Sequence, residues 1–260
     1  MVTSIPHSLK TPALSMLAHK IATFSLAAAI FASPLALRAQ DAPKPKPQEF
    51  TADLGLLSTS GNSKVTTLNV GEKLIVRRGK WEHKQQFGSV YGAEDGKQTS
   101  NLLFANIRTD YALSKTIAAF AYVGYDRNTF AGIARRFEEA AGIAVKIINT
   151  DKDQWNAEVG LALNQQLSTT DSTINFTSLR SGTSYKHFFT KTAYVFEGLE
   201  YLPSFKDSQD YRINSETSIV APLSSHMSMK AGYIIRFDNV PEPAHVKSDR
   251  IFTTGLQFNW

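Results

Sequence analysis

Cysteine is absent from the 260 residues, which excludes disulfides, a thiolate nucleophile and any zinc site built on thiolates. Acids are absent from the start of the chain: none of the 23 Asp and Glu residues precedes Asp41, whereas Lys10, Lys20 and Arg38 do. The single long apolar run, Ile21 to Leu37, is interrupted by Thr23, Ser25, Ser33 and Pro34. It is a poor helical anchor, because a membrane-crossing helix needs about twenty strongly apolar residues. A basic, acid-free start, an apolar run and then Leu37-Arg38-Ala39 read instead as a cleaved export signal over residues 1–39, with Gln40 as the new N-terminus. Removing three of the 28 basic residues leaves 25 against 23 acids, a net charge near +2. The basic character of the whole chain therefore belongs largely to the leader, and nucleic acid is excluded as a partner.

Histidine is also scarce. After residue 39 only His83, His187, His226 and His245 remain, without H-x-x-x-H spacing, and there is no Gly-rich phosphate loop or EF-hand pattern. No metal or other cofactor is expected. Ser224-Ser225-His226 falls in a polar turn, and a catalytic triad would need a third group that sequence does not place. The chain is read as non-enzymatic on this ground.

From Phe50 onward helical periodicity is missing as well. Residues 40–49, with Pro43, Pro45 and Pro47 between Lys44 and Lys46, form a tail rather than a helix or a ladder interior. Beyond it the recurring pattern is alternation with a period of two, interrupted by polar turns. Trp155, Ala157, Val159, Leu161 and Leu163 share one face, and Asn156, Glu158, Gly160, Asn164 and Gln166 the other. Similar alternation covers residues 103–111, 142–147 and 227–237. In 192–202, Glu197 and Glu200 fall on opposite faces and leave the lipid side open.

Turn clusters near Gly61, Gly79, Asp95, Ser114, Ala131 to Arg136, Asp151, Thr170, Phe189, Lys206, Ala221 and Asn239 to Ser248 divide the chain into about twelve strands. Units of about 17 residues exceed sandwich spacing and suit tilted membrane spans. The expected fold is an all-β, antiparallel, up-and-down transmembrane β-barrel over residues 50–260. With the first strand running outward, the periplasmic turns are short and only the Gly61 hairpin is tight on the outer side. The last strand, with Leu256, Phe258 and Trp260 on one face, resembles the C-terminal strand of outer-membrane proteins. That resemblance implies recognition by barrel-assembly machinery.

Gly61-Asn62-Ser63, then Arg77-Arg78-Gly79-Lys80-Trp81, then Tyr125-Asp126-Arg127-Asn128-Thr129-Phe130-Ala131-Gly132-Ile133 together resemble a domain-of-unknown-function family labelled as salt-induced outer-membrane proteins. The resemblance implies an outer-membrane barrel in a Gram-negative envelope and brings no catalytic residues. Lys84, Arg108, Asp110, Lys146, Glu158, Arg180, Lys186, Arg212, Glu216, Lys230 and Arg236 fall on lumen faces, where charges must pair or meet water. Basic positions dominate that set, so an open path would favour anions. Asp126, Arg127, Phe130, Gly132, Arg135 and Arg136, with Glu138 and Glu139 nearby, mark an outer loop. Its guanidinium groups could hold phosphate or carboxylate of lipopolysaccharide or could fix the hairpin end.

The function these features support is a narrow channel or an envelope-stability element, with the link to salt stress resting on the resemblance. The alternatives are a lipid-acting barrel enzyme and a soluble periplasmic barrel with its apolar faces turned inward around a small ligand.

Overall fold

The computed structural model describes residues 46–58 and 65–260. Residues 1–39, most of the tail and the Gly61-Asn62-Ser63 hairpin lie outside the described residues. Twelve antiparallel strands close on themselves in sequence order: β1 (Gln48–Ser58), β2 (Val65–Arg78), β3 (Trp81–Glu94), β4 (Lys97–Ala112), β5 (Ile117–Asn128), β6 (Ile133–Asn149), β7 (Asp153–Ser168), β8 (Thr173–Phe188), β9 (Tyr194–Pro203), β10 (Tyr211–Pro222), β11 (Met227–Asp238) and β12 (Ser248–Asn259). The expected fold and strand count are both found. Closure leaves no unpaired edge, which lets a chain without cysteine keep so many backbone donors satisfied.

The seam between β1 and β12 is the shortest pairing, Thr51 to Leu54 against Asn259 to Leu256. It is extended by reciprocal backbone hydrogen bonds in which Phe50 N donates to Trp260 O at 3.2 Å and Trp260 N donates to Phe50 O at 3.0 Å. The Trp260 ring lies 5.6 Å from that of Phe50 and 6.0 Å from that of Phe258.

The apolar faces point outward. Leu161 and Leu163 are 59% and 56% exposed on β7, and Ile107, Val123, Ile219 and Phe252 are likewise exposed on other strands. Aromatic residues edge this belt at both ends. Trp81 packs with Tyr111 near the chain termini, and Tyr125 with Phe137, and Tyr201 with Tyr211, lie toward the opposite end. An apolar band between two aromatic girdles is the exterior of a membrane barrel, and it overturns the reading with inward apolar faces.

Inside, the core is small. Phe120, Ala140 and Ala162 are buried together with Tyr122 and Ala144 against them. Phe120 lies flat on the wall because its cross-strand neighbours there, Gly142 and Gly160, carry no side chains. A Cβ at Gly142 would stand 2.2 Å from Val159 O and 2.9 Å from the Phe120 ring.

Three local expectations are corrected. β1 begins at Gln48, so Gln48 and Glu49 belong to the sheet rather than the tail, paired with Val76 and Ile75. Lys46 O accepts from Arg77 Nη1, which ties the incoming chain to β2. The β5–β6 connection is only Thr129 to Gly132, with a 3-10 turn at Thr129–Ala131, so Ala134, Arg135 and Arg136 are strand residues. Asn128 Oδ1 accepts from Ala131 N, and Gly132 closes the turn at φ 78°, a left-handed conformation that favours glycine. Finally, Asp95-Gly96 is a tight turn on the end away from the termini, where the sequence reading has a tight turn at Gly61 alone. The long connections on that end are Ser204 to Asp210 and Asn239 to Lys247.

Two variants test this architecture. Gly160→Val inserts methyls where a Cβ alone would stand 2.4 Å from Ala141 O. It should destabilise the barrel by about 1–3 kcal/mol, as overpacking does, read as a lower denaturant midpoint of the folded, heat-modifiable species. Trp260→Asp should lower the assembled amount far more than it lowers synthesis, because it weakens the shortest seam. Normal assembly of that variant would show that the seam does not depend on this residue.

Candidate functional site

All eleven charges expected in the lumen stand on inward-facing register positions. The structure brings five of them, Lys84, Arg108, Asp110, Glu158 and Arg180, into one chain of ion pairs across β3, β4, β6, β7, β8 and β9. Lys84 Nζ pairs with Asp110 at 3.3 Å and Arg108 Nη2 with Asp110 at 2.8 Å; Arg108 Nη1 reaches over two strands to Glu158. Arg180 then holds three carboxylates, Glu138 at 2.6 Å, Glu158 at 3.2 Å and Glu200 at 2.5 Å. Both guanidiniums lie over rings, Arg108 at 4.1 Å from Phe120 and Arg180 at 4.4 Å from Tyr122. Each charged plane is thus backed by an aromatic face and edged by carboxylates, a geometry suited to arginine and not to lysine.

On the opposite wall Lys230 pairs with Asp53 at 2.9 Å and lies 3.6 Å from Glu216. Other contacts cross the lumen between strands that are not neighbours. Arg236 of β11 meets Asp126 of β5 at 3.1 Å, and Asn128 of β5 donates to Asp249 of β12 at 2.8 Å. Inside the barrel, beside the Arg236–Asp126 bridge, lies a cavity of about 400 Å³ lined by Arg108, Arg180, Arg212 and Arg236 among others.

Lys146 and Lys186 make no ion pair among the described residues. Lys146 is exposed opposite Asn156 beside a bulge, and Lys186 lies 4.4 Å from the Tyr194 ring. Arg212 is held by Asn164 Oδ1 at 3.0 Å.

The expected basic excess is corrected. Glu49, Asp53, Glu82, Asp126, Glu138, Glu200, Asp238 and Asp249 also stand at inward register positions, and the first six carry most of the pairing, against the added cations Lys73, Arg77 and Arg136. Glu138 sits in a tidy alternation and could have been placed by register. Glu200 could not, because Glu197, three residues earlier, falls on the opposite face and either could be the inward one. The structure settles this pair, with Glu200 inside on Arg180 and Glu197 outside, where its carboxylate accepts from Thr217 Oγ1 at 2.6 Å.

The outer-loop cluster does not act as one unit. Asp126, Arg136 and Glu138 point inward, while Arg127, Arg135 and Glu139 are exposed on the outer face. Register shifts at Asp126/Asn128 and Ile133/Arg135 accompany this split. Phe130 is exposed in the turn, and Gly132 packs under the long β11–β12 connection, where an added Cβ would meet Glu242 at 2.5 Å. Glu242 of that connection accepts from Gln166 Nε2 at 2.7 Å, so the loop is hooked into the barrel end.

In the polar turn, Ser225 Oγ lies 2.8 Å from His226 Nδ1, and Ser224 Oγ accepts from Met227 N. The two serines serve the turn. Among the described residues no three His, Asp or Glu side chains gather as a metal site.

Removing Arg180 leaves Glu138 without a cation and Glu200 with only Asn214 as a partner. Arg180→Met should therefore lower stability by about 3–5 kcal/mol, the cost of breaking a buried ion pair from one side. Urea titration of the detergent-folded protein measures this.

Solved structures with this architecture include the NanC porin, which matches at 8% identity and a TM-score of 0.51 over 80% of this chain and 98% of that one. An outer-membrane channel from Pseudomonas putida F1 matches at 9% identity and a TM-score of 0.49, over 86% and 98% of the two chains. The KdgM porin matches at 10% identity and a TM-score of 0.40, over 81% and 98%. At 8% identity the likeness to the NanC porin concerns the fold alone. No curated protein sequence matches the chain. The family model described as "Protein of unknown function, DUF481" matches residues 52–260, and the chain belongs to that family.

Proposed function

We propose that the protein is a non-enzymatic barrel of a Gram-negative outer membrane, exported on residues 1–39, whose lumen is a narrow aqueous path rather than a porin-sized pore. The observation that carries this reading is the set of bridges across the lumen, Arg236 to Asp126 and Asn128 to Asp249, below a loop hooked by Glu242 onto Gln166. Twelve strands enclose more room than the eight whose side chains just fill a barrel, and far less than sixteen. The cavity of about 400 Å³ in the lumen is lined by charged side chains.

A purely structural, envelope-stabilising role is the second reading, favoured by the completeness of the mid-barrel ion pairing. A link to salt follows from the same groups, because water-lined pairs weaken as ionic strength shortens the screening length from about 10 Å at 0.1 M to about 3 Å at 1 M.

On the outside, Arg127 and Arg135 stand beside Tyr125 and Phe137 at the end away from the termini. We assign them to phosphate or carboxylate groups of lipopolysaccharide, which guanidinium engages bidentately. The outward stripe Leu256, Phe258 and Trp260 is the surface assigned to barrel-assembly machinery.

Purified protein in planar bilayers tests the channel. The native barrel should be closed or conduct far below a porin, and deleting residues 240–246 should raise conductance several-fold. A large, cation-selective native conductance would overturn the narrow-path reading, and absence of current from both proteins would leave the structural role.

A further inference from the structure

Mid-barrel, every arginine has carboxylate partners; nearer the end away from the termini, two do not. Arg136 and Arg212 are 8% and 6% exposed, yet neither makes an ion pair among the described residues. Each is held by a neutral amide instead. Arg136 Nε donates to Gln166 Oε1 at 2.8 Å, and Arg212 Nη2 to Asn164 Oδ1 at 3.0 Å. Those two acceptors stand two residues apart on the inner face of β7, hence about 7 Å apart along the strand. β6 and β10 therefore deliver two guanidiniums to neighbouring points of one wall. Arg236 lines the same cavity; its Nη1 is taken by Asp126, and its buried Nε has no acceptor. Asp126 and Glu138 line that cavity too, but they are engaged by Arg236 and Arg180; Asp238, opposite Arg212 in the sheet, and Asp210 lie within electrostatic reach of Arg136 and Arg212 without forming a direct ion pair.

Two buried guanidiniums whose hydrogen-bonded partners are neutral amides, with carboxylates near but not in contact, gain from a directly bound counter-charge. A barrel that only needed a polar plug would repeat the carboxylate pattern it already uses around Arg180. We infer that Arg136, Arg212 and Arg236 form a binding site for one small, free carboxylate- or phosphate-bearing solute. The donors left open are Arg136 Nη1, Arg212 Nε and Nη1, and Arg236 Nε, and forked guanidiniums match the oxygens of such anions. The cavity of about 400 Å³ falls in the range of small-molecule sites. Glu242 stands over the site as a tethered carboxylate, bound through Gln166 rather than to the arginines. It is placed to compete with an entering anion. The inference deepens the narrow-path reading by naming a solute class, and binding and conduction are measured separately so that either can fail alone.

The test uses the whole folded barrel in detergent, titrated with radiolabelled inorganic phosphate at constant ionic strength in chloride, with glucuronate as competitor. One saturable equivalent per barrel, displaced by glucuronate, is expected. Arg136→Gln and Arg212→Gln should each weaken it at least tenfold, and Glu242→Gln should tighten it several-fold. Heat-modifiable migration reports folding of each variant, and thermal unfolding supplies a second readout. Phosphate should raise the native midpoint and leave those of the two Gln variants unchanged. Absence of saturable phosphate binding by the native protein, or equal binding by both arginine variants, would overturn the site. Binding without bilayer current would sink the path and keep the site, and current without binding would do the reverse.

Discussion

The constraint on which the rest depends is that a charge on the inner face of a closed barrel has only other inner-face groups and trapped water to meet. Arg180 shows how this is solved. One planar guanidinium on β8 collects carboxylates from β6, β7 and β9 and rests on Tyr122 of β5. The side chains of five strands thus converge on one group. Because Glu158 is shared with Arg108 of β4, the grouping extends around half the wall, and the lumen is fastened by directional bonds rather than by apolar packing. The buried apolar cluster, Phe120 with two alanines, is correspondingly slight.

Small residues are the complement of these large charged ones. Gly142 and Gly160 leave the wall bare where Phe120 lies, and Phe120 in turn supports the Arg108 plane. A residue chosen for absence of a side chain thereby positions a cation two layers above it. The outside obeys a different rule. There, exposed leucine, isoleucine and valine between aromatic girdles satisfy hydrocarbon without any partner, and the outward Arg127 and Arg135 lie toward one girdle, where polar head groups can reach them.

The lumen is therefore uneven along its length. The middle is neutralised pair by pair, while the far end keeps guanidiniums on amide supports under a hooked loop. On the proposed path, an interlocked middle would limit the size of what can pass, and guanidiniums without direct carboxylate partners would decide what charge is welcome.

Alternation in residues such as 155–166, turn chemistry at Gly79 and Asp95-Gly96, and strand lengths suited to a tilted span were enough to determine by sequence alone that the chain is all-β, antiparallel and about twelve-stranded. The inward parity of Lys84, Arg108, Glu158, Arg180 and Lys230 was legible for the same reason, since a period of two leaves only two faces. Parity does not say which face is outside, and it fails where a bulge adds a residue. Only closure of the barrel turned the apolar faces toward lipid, divided Arg135 from Arg136, and put Glu200 rather than Glu197 inside. Pairing lies further beyond the sequence. Arg236 meets Asp126 across 110 positions, and Arg136 and Arg212 converge on β7 because strands far apart in sequence face one another across a lumen, a relation fixed by three-dimensional closure and by nothing local.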